Sequence, residues 1–289
     1  MSERTPQWYD SQYNNRARIP EHAEVFERWA RASALTREKS ACEIDVPYGD
    51  APSEKLDVFL TPRPRAPVLV YIHGGYWRAL DKRDQSFVAA SYANAGAMVV
   101  IPNYALCPTV TIEHICLQMA QAVAWTWRNA ARYGGDPSRI VVAGHSAGGH
   151  LAAMMLACEW EAVAGDLPAG VVGGALSISG LFDLEPLRHA PFLAPDLGLD
   201  AASALRLSPA TFPAPQRGRL YAVVGAQESE EFIRQNTLIR KAWGPVRVPV
   251  CETVPATNHL TVLHDLADPQ ARLHRLGLDL LGLEAPARS

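Results

Sequence analysis

The chain has 289 residues, 48% hydrophobic and 20% charged, with a formal net charge of −3. This is ordinary globular composition, with enough apolar material for one large core. No basic stripe offers a footprint for nucleic acid, and no run of 18 or more apolar residues suggests a membrane span.

The polar start, Met1 to Asp10, has no apolar stretch behind a basic head, so no secretory signal is expected. Cys42, Cys107, Cys116, Cys158 and Cys251 are odd in number, widely spaced and without a CxxC pair. They read as reduced thiols, and a cytoplasmic location is expected. Residues 1–40 read as a helical N-terminal extension, with Glu24, Val25, Phe26, Trp29 and Ala30 near helical spacing after Pro20. Two short strands follow, Glu43 to Val46 and Leu56 to Leu60, joined by a turn over Asp50 to Ser53.

The rhythm then changes. Val68 to Ile72, Met98 to Ile101, Ile140 to Ala143, Ala175 to Ile178 and Leu220 to Val224 are short apolar runs, as strands buried on both faces require. Between them lie stretches of helical length. The clearest is Ile115 to Arg132, which ends at Gly134-Gly135. Alternating β and α predicts one α/β domain over 1–289, an open, mostly parallel doubly wound sheet with helices on both faces. Reactive groups in such sheets lie beyond the carboxyl ends of the strands. Residues 183–218, with Pro186, Pro191, Pro195, Pro209, Pro213 and Pro215, break the rhythm and read as a cap or lid insertion.

Ile140 to Ala143 runs into Gly144-His145-Ser146-Ala147-Gly148-Gly149, then into helix-forming Leu151 to Leu156. A GxSxG between strand and helix is the setting of a nucleophile elbow, so Ser146 is the candidate nucleophile. Small neighbours let the backbone turn sharply and expose the serine oxygen. Val68 to Ile72 likewise ends in His73-Gly74-Gly75-Tyr76-Trp77. An oxyanion hole needs backbone amides aimed at one point, and the amides of Gly74, Gly75 and Ala147 are assigned to it. His73 reads as an organiser of that loop.

His-Gly-Gly-Tyr-Trp together with Gly-His-Ser-Ala-Gly-Gly resembles the kynurenine formamidase (arylformamidase) branch of the α/β hydrolases, close to the hormone-sensitive-lipase-like esterases. Those esterases usually read His-Gly-Gly-Gly, so Tyr76-Trp77 discriminates. Tyr13-Asn14-Asn15-Arg16, Ser179 to Leu184 and Gly225 to Ser229 look like the same branch, so the resemblance spans essentially the whole chain. It implies the α/β-hydrolase fold and hydrolysis of small acyl groups from aromatic amines or alcohols.

In this fold the acid and then the histidine follow the serine in sequence. His259 follows the last strand, Val248 to Val254, and is the candidate base; His264 and His274 fall in helix, and His145 and His150 flank the serine. Glu228 follows Leu220 to Val224, where the resemblance places the acid, although the family more often carries Asp. Asp183, Glu230 and Glu231 remain rivals. Tyr76, Trp77 and Phe182, with Tyr13, are candidate walls of an aromatic pocket, and Arg78 and Arg188 are candidate partners for a substrate carboxylate. No metal or organic cofactor is expected, since no HExxH or clustered Cys/His set occurs. The expected partner is a small-molecule substrate, with no nucleic acid or membrane, and a homodimer is allowed. A general short-chain carboxylesterase and a non-catalytic ligand receptor on the same fold are the alternatives.

Overall fold

The computed structural model describes residues 4–284. Three helices open the chain: α1 (Pro6–Tyr13), α2 (Asn15–Arg18) and α3 (His22–Lys39). Thr5 caps α1 by accepting from the Trp8 amide, and Pro6 sits in the first turn, where its missing N–H goes unneeded. An antiparallel hairpin follows, β1 (Cys42–Pro47) and β2 (Lys55–Phe59), with Cys42 opposite Phe59.

Then come β3 (Ala66–Ile72), α4 (Ala89–Asn94), β4 (Met98–Pro102), α5 (Ile112–Asn129), β5 (Gly135–His145) and α6 (Ala147–Leu156). α7 (Trp160–Val163) leads to β6 (Val172–Ile178). Residues 183–218 carry the short helices α8 (Ala194–Leu197) and α9 (Ala201–Arg206). The chain continues through β7 (Leu220–Gly225), α10 (Glu230–Arg247), β8 (Val250–Val254), α11 (Val262–Ala267) and α12 (Arg272–Leu281). α10 kinks at Gly244, whose φ of 77° lies in the left-handed region, beside Pro245. Among the described residues no helix is long and apolar enough to cross a membrane.

All eight strands form one sheet in the order β1-β2-β4-β3-β5-β6-β7-β8. β1, β2 and β4 pair antiparallel, and every neighbour from β4 through β8 is parallel. The apolar runs are continuous because both faces of the sheet are covered. Val68, Val70 and Ile72 enter one core with residues of α5, α6 and α10, whereas Leu69 and Tyr71 enter a second core with residues of α3, α4, α11 and α12. Each such side chain contributes about 1.5–3 kcal/mol on burial.

The chain leaves β3 for β4 on one side and places β5 on the other side of β3. This reversal opens a crevice beyond the carboxyl ends of β3 and β5, where the loops after both strands must meet.

Candidate active site

Ser146 stands at the junction of β5 and α6 with φ 57° and ψ −117°. A non-glycine residue rarely holds such angles, and here the surrounding turn enforces them. The Ser146 amide donates to the Ile178 carbonyl at 2.8 Å, which ties the turn to β6. A Cβ at Gly144 would lie 2.1 Å from the Gly148 carbonyl oxygen, so only glycine allows the strand and helix to approach so closely. Gly74 is equally constrained: a Cβ there would fall 2.7 Å from the His145 carbonyl oxygen and 3.1 Å from Ser146 Cβ. The loop after β3 therefore runs against the serine turn. First-turn amides of a helix lack intrahelical acceptors, which leaves the Ala147 N–H available at the start of α6.

His259 lies beyond β8 and Glu228 beyond β7. Their side chains meet, with His259 Nδ1 2.5 Å from Glu228 Oε2. The other carboxylate oxygen, Oε1, accepts from Ser179 Oγ at 2.5 Å and from the Gly225 amide at 2.7 Å. Both oxygens are thus engaged, and the carboxylate is buried. Facing a carboxylate, Nδ1 carries the proton, which leaves Nε2 of a neutral ring as an acceptor.

His145 supports this arrangement from behind. Its Nε2–H donates to the His259 carbonyl at 2.7 Å, and the two rings lie 4.7 Å apart. Burial holds the His145 ring well below the ordinary histidine pKa, and the neighbouring His259 pushes it in the same direction. His73 stacks on Tyr104 at 4.2 Å and donates from Nδ1 to the Gly74 carbonyl at 2.8 Å. Desolvation lowers its pKa as well, so it acts as a neutral scaffold for the glycine loop.

Ser146 and His259 open on one cavity of about 490 Å³. Its walls come from Gly75, Tyr76, Arg78, Ala79 and Leu80 after β3, and from His145 and Leu260. Asn14, Asn15, Arg16, Phe26 and Trp29 of the first forty residues line it too, with Phe192 and Asp196 of the 183–218 segment. Tyr76 holds its place by donating from its hydroxyl to the Tyr13 carbonyl at 2.6 Å.

Three expected wall residues lie elsewhere. The Trp77 ring lies fully buried in the core, edge-on to His150 at 5.1 Å. Phe182 is fully buried in the same core. Tyr13 is buried against Phe232 and donates its hydroxyl to Glu231 at 2.7 Å. Aromatic rings of this size gain more from close packing on both sides than from facing a half-open cavity.

The rival acids have other partners. Asp183 pairs with Arg234 at 3.2 Å, Glu231 binds Tyr13, Arg234 and Arg4, and Glu230 is exposed. Of the two expected cations, Arg188 pairs with Glu185. Arg78 does line the cavity, but it pairs with Asp196 and donates to the Phe192 carbonyl at 2.8 Å. Sequence reasoning gave no role to His145, Asn15 or Arg16. The Tyr13-to-Arg16 string was visible as a motif but carried no chemistry of its own. Among the described residues no group of three His, Cys, Asp or Glu is placed to hold a metal.

A family model described as BD-FAE matches residues 56–165. The kynurenine formamidase of Danio rerio is 31% identical over 88% of this chain and 87% of its own. That of Salmo salar is 30% identical over 83% and 82% respectively. A crystal structure from Silicibacter sp., provisionally described as a thioesterase, superposes with a TM-score of 0.80 at 32% identity, covering 90% of this chain and 95% of that one.

Proposed function

The chain belongs to the kynurenine formamidase family of α/β hydrolases, and on that premise we propose that it cleaves small acyl groups, formyl or acetyl, from aromatic amines or alcohols through an acyl-enzyme. It is a hydrolase. Ser146 is the nucleophile, His259 its base and Glu228 the group that orients the base. The hydrogen bond from His259 to the buried Glu228 carboxylate, with His259 opening on the same cavity as Ser146, carries this reading.

In the first half-reaction His259 Nε2 takes the Ser146 proton as Oγ attacks the carbonyl carbon. The carbonyl oxygen becomes an oxyanion held by the amides of Gly74, Gly75 and Ala147. Glu228 keeps the proton on Nδ1 and stabilises the imidazolium without accepting that proton. His259 then protonates the leaving amine or alcohol. In the second half-reaction water, deprotonated by the same ring, attacks the acyl-serine and frees the acid. The 183–218 segment acts as the cap, and with the N-terminal helices it limits the length of acyl chain the site admits.

Rates on N-formylkynurenine and p-nitrophenyl acetate, with p-nitrophenyl esters up to decanoate, test the reading. A fall in kcat/KM beyond acetate or butyrate, with N-formylkynurenine favoured, is the expected result. An open pocket would instead let kcat/KM rise as each methylene adds about 0.8 kcal/mol of burial. A steady rise through octanoate, with the formamide poorly used, would replace it with a general carboxylesterase.

A further inference from the structure

The carboxyl end of β6 touches the catalytic groups at two successive residues. The Ile178 carbonyl accepts from the Ser146 amide at 2.8 Å, and the next residue, Ser179, donates its hydroxyl to Glu228 Oε1 at 2.5 Å. One strand end therefore holds both the turn that carries the nucleophile and the carboxylate that orients the base.

Ser179 is 1% exposed and has φ 52°. Left-handed backbone is uncommon for a residue with a Cβ, and glycine would hold it without strain. The backbone is fixed by a bond of its own, from the Ser179 amide to the Val223 carbonyl of β7 at 2.7 Å. The hydroxyl takes no part in that bond. Among the described residues it bonds Glu228 alone. A strained, buried residue other than glycine points to a role for its side chain.

The carboxylate depends on such a partner. The Glu228 side chain is fully buried, and among the described residues no lysine or arginine pairs with it. A buried carboxylate without a cation relies on hydrogen-bond donors, and bonds to a charged acceptor are about twice as strong as neutral ones. Oε1 has two donors, Ser179 and the Gly225 amide at 2.7 Å, and Oε2 has the His259 ring. The terminal torsion of glutamate is broad, so the head group swings unless its oxygens are pinned. The Gly225 amide fixes one direction at Oε1. The Ser179 hydroxyl adds a second and sets the plane in which Oε2 meets Nδ1.

We infer that Ser179 is a positioning residue for the hydrolysis. Its hydroxyl pins the Glu228 carboxylate in the orientation that fixes the His259 ring for Ser146. This rests on the hydrolase reading above, and it adds a fourth residue that acts only through Glu228.

Ser179→Gly and Ser179→Ala both remove the hydroxyl, and the first also relieves the left-handed strain. With p-nitrophenyl acetate, kcat is expected to fall about tenfold in both, with KM within about twofold of wild type. Adding Ser179→Gly to Glu228→Gln should cost no more than about a further twofold, since the carboxylate it acts through is already gone. A further tenfold loss there, a fall in only one of the two single variants, or wild-type kcat in both would overturn the proposal. Circular dichroism and thermal unfolding establish that each variant is folded at the assay temperature. Proton NMR gives a readout independent of turnover. A bond as short as that between His259 and Glu228 places the Nδ1 proton far downfield of the amide protons, and His259→Gln identifies the signal by its loss. The signal is expected to move upfield in Ser179→Gly as the carboxylate loosens, and a signal left in place would overturn the proposal. A wild type that hydrolyses neither p-nitrophenyl esters nor N-formylkynurenine, with the signal moving as expected, would remove the hydrolase reading and leave Ser179 as the residue that fixes the carboxylate.

Discussion

Ser146→Ala is expected to lower turnover about a thousandfold or more while circular dichroism stays unchanged, because the hydroxyl serves the cavity and not the turn. The turn is fixed by backbone contacts, the Ser146 amide on Ile178 and the Gly144–Gly148 approach. Activity within tenfold of wild type would remove the nucleophile assignment. Glu228 and Asp183 give a second test. Glu228→Gln breaks a buried arrangement that fixes the His259 tautomer, and activity should fall about a hundredfold or more. Asp183→Asn loses only a partly exposed ion pair with Arg234, worth about 1 kcal/mol at most, and activity should stay within about twofold. The opposite pattern would hand the role to Asp183. Ser146 was legible because its signal is local: small residues at fixed offsets between a strand and a helix. Glu228 and His259 were picked out by strand order together with the family resemblance, and the structure brings their side chains into contact. Trp77, Phe182 and Tyr13 were misplaced because a neighbouring motif does not reveal which way a ring turns. Their inward placement goes with packing partners distant in sequence.

The first three helices act as part of the site as well as its cover. Tyr13 at the end of α1 ties to Glu231 at the start of α10 by its hydroxyl and to Tyr76 by its carbonyl. Tyr13→Phe removes the first tie and leaves the buried Glu231 to Arg234 and Arg4. A loss of about 1–2 kcal/mol is expected in thermal or urea unfolding, with KM rising more than kcat falls as the α1–α2 segment loosens over the cavity. Unchanged stability together with unchanged KM would show that the hydroxyl does not anchor the segment. The central strands were legible as unbroken apolar runs, since both faces of β3, β4 and β5 are covered. β5 extends back to Gly135, which pairs with Ala66, and this end was not legible because Asp136, Ser138 and Arg139 are polar. The prolines of 183–218 marked a break in rhythm, but α8 and α9 within it are single short turns whose formation depends on contacts that no periodicity records.

On the scale of the whole molecule, the two loops at the crevice and the helix behind it are held by neutral buried histidines. His73 braces the glycine loop, His145 braces His259, and His150 on α6 donates from Nε2 to the Leu207 carbonyl at 2.7 Å, fastening the 183–218 segment to α6. Burial lowers the pKa of all three, to about 4 for His150. In the unfolded chain these rings titrate near about 6.5. The folded state therefore resists protons that the unfolded state accepts. The contribution is fully present above about pH 6.5 and is lost as pH falls toward the folded values. For His150 alone the loss at pH 5 is about 2 kcal/mol, and the other two rings add in the same direction. Protonated His150 would also carry charge at Nδ1, which has no partner. Urea unfolding is expected to show a plateau from pH 8 to 7 and a steep decline below pH 6.5, with hydrolysis lost alongside it because the same rings brace the site. His150→Gln keeps a donor for the Leu207 carbonyl but cannot titrate, so its stability should decline less steeply than wild type over that interval. An identical slope in the two proteins would take the acid sensitivity of that interval away from His150 and leave it to the other buried rings, His73 and His145, since carboxylates such as Asp136, held below the usual range by bonds from Ser138, lose their contribution only at lower pH.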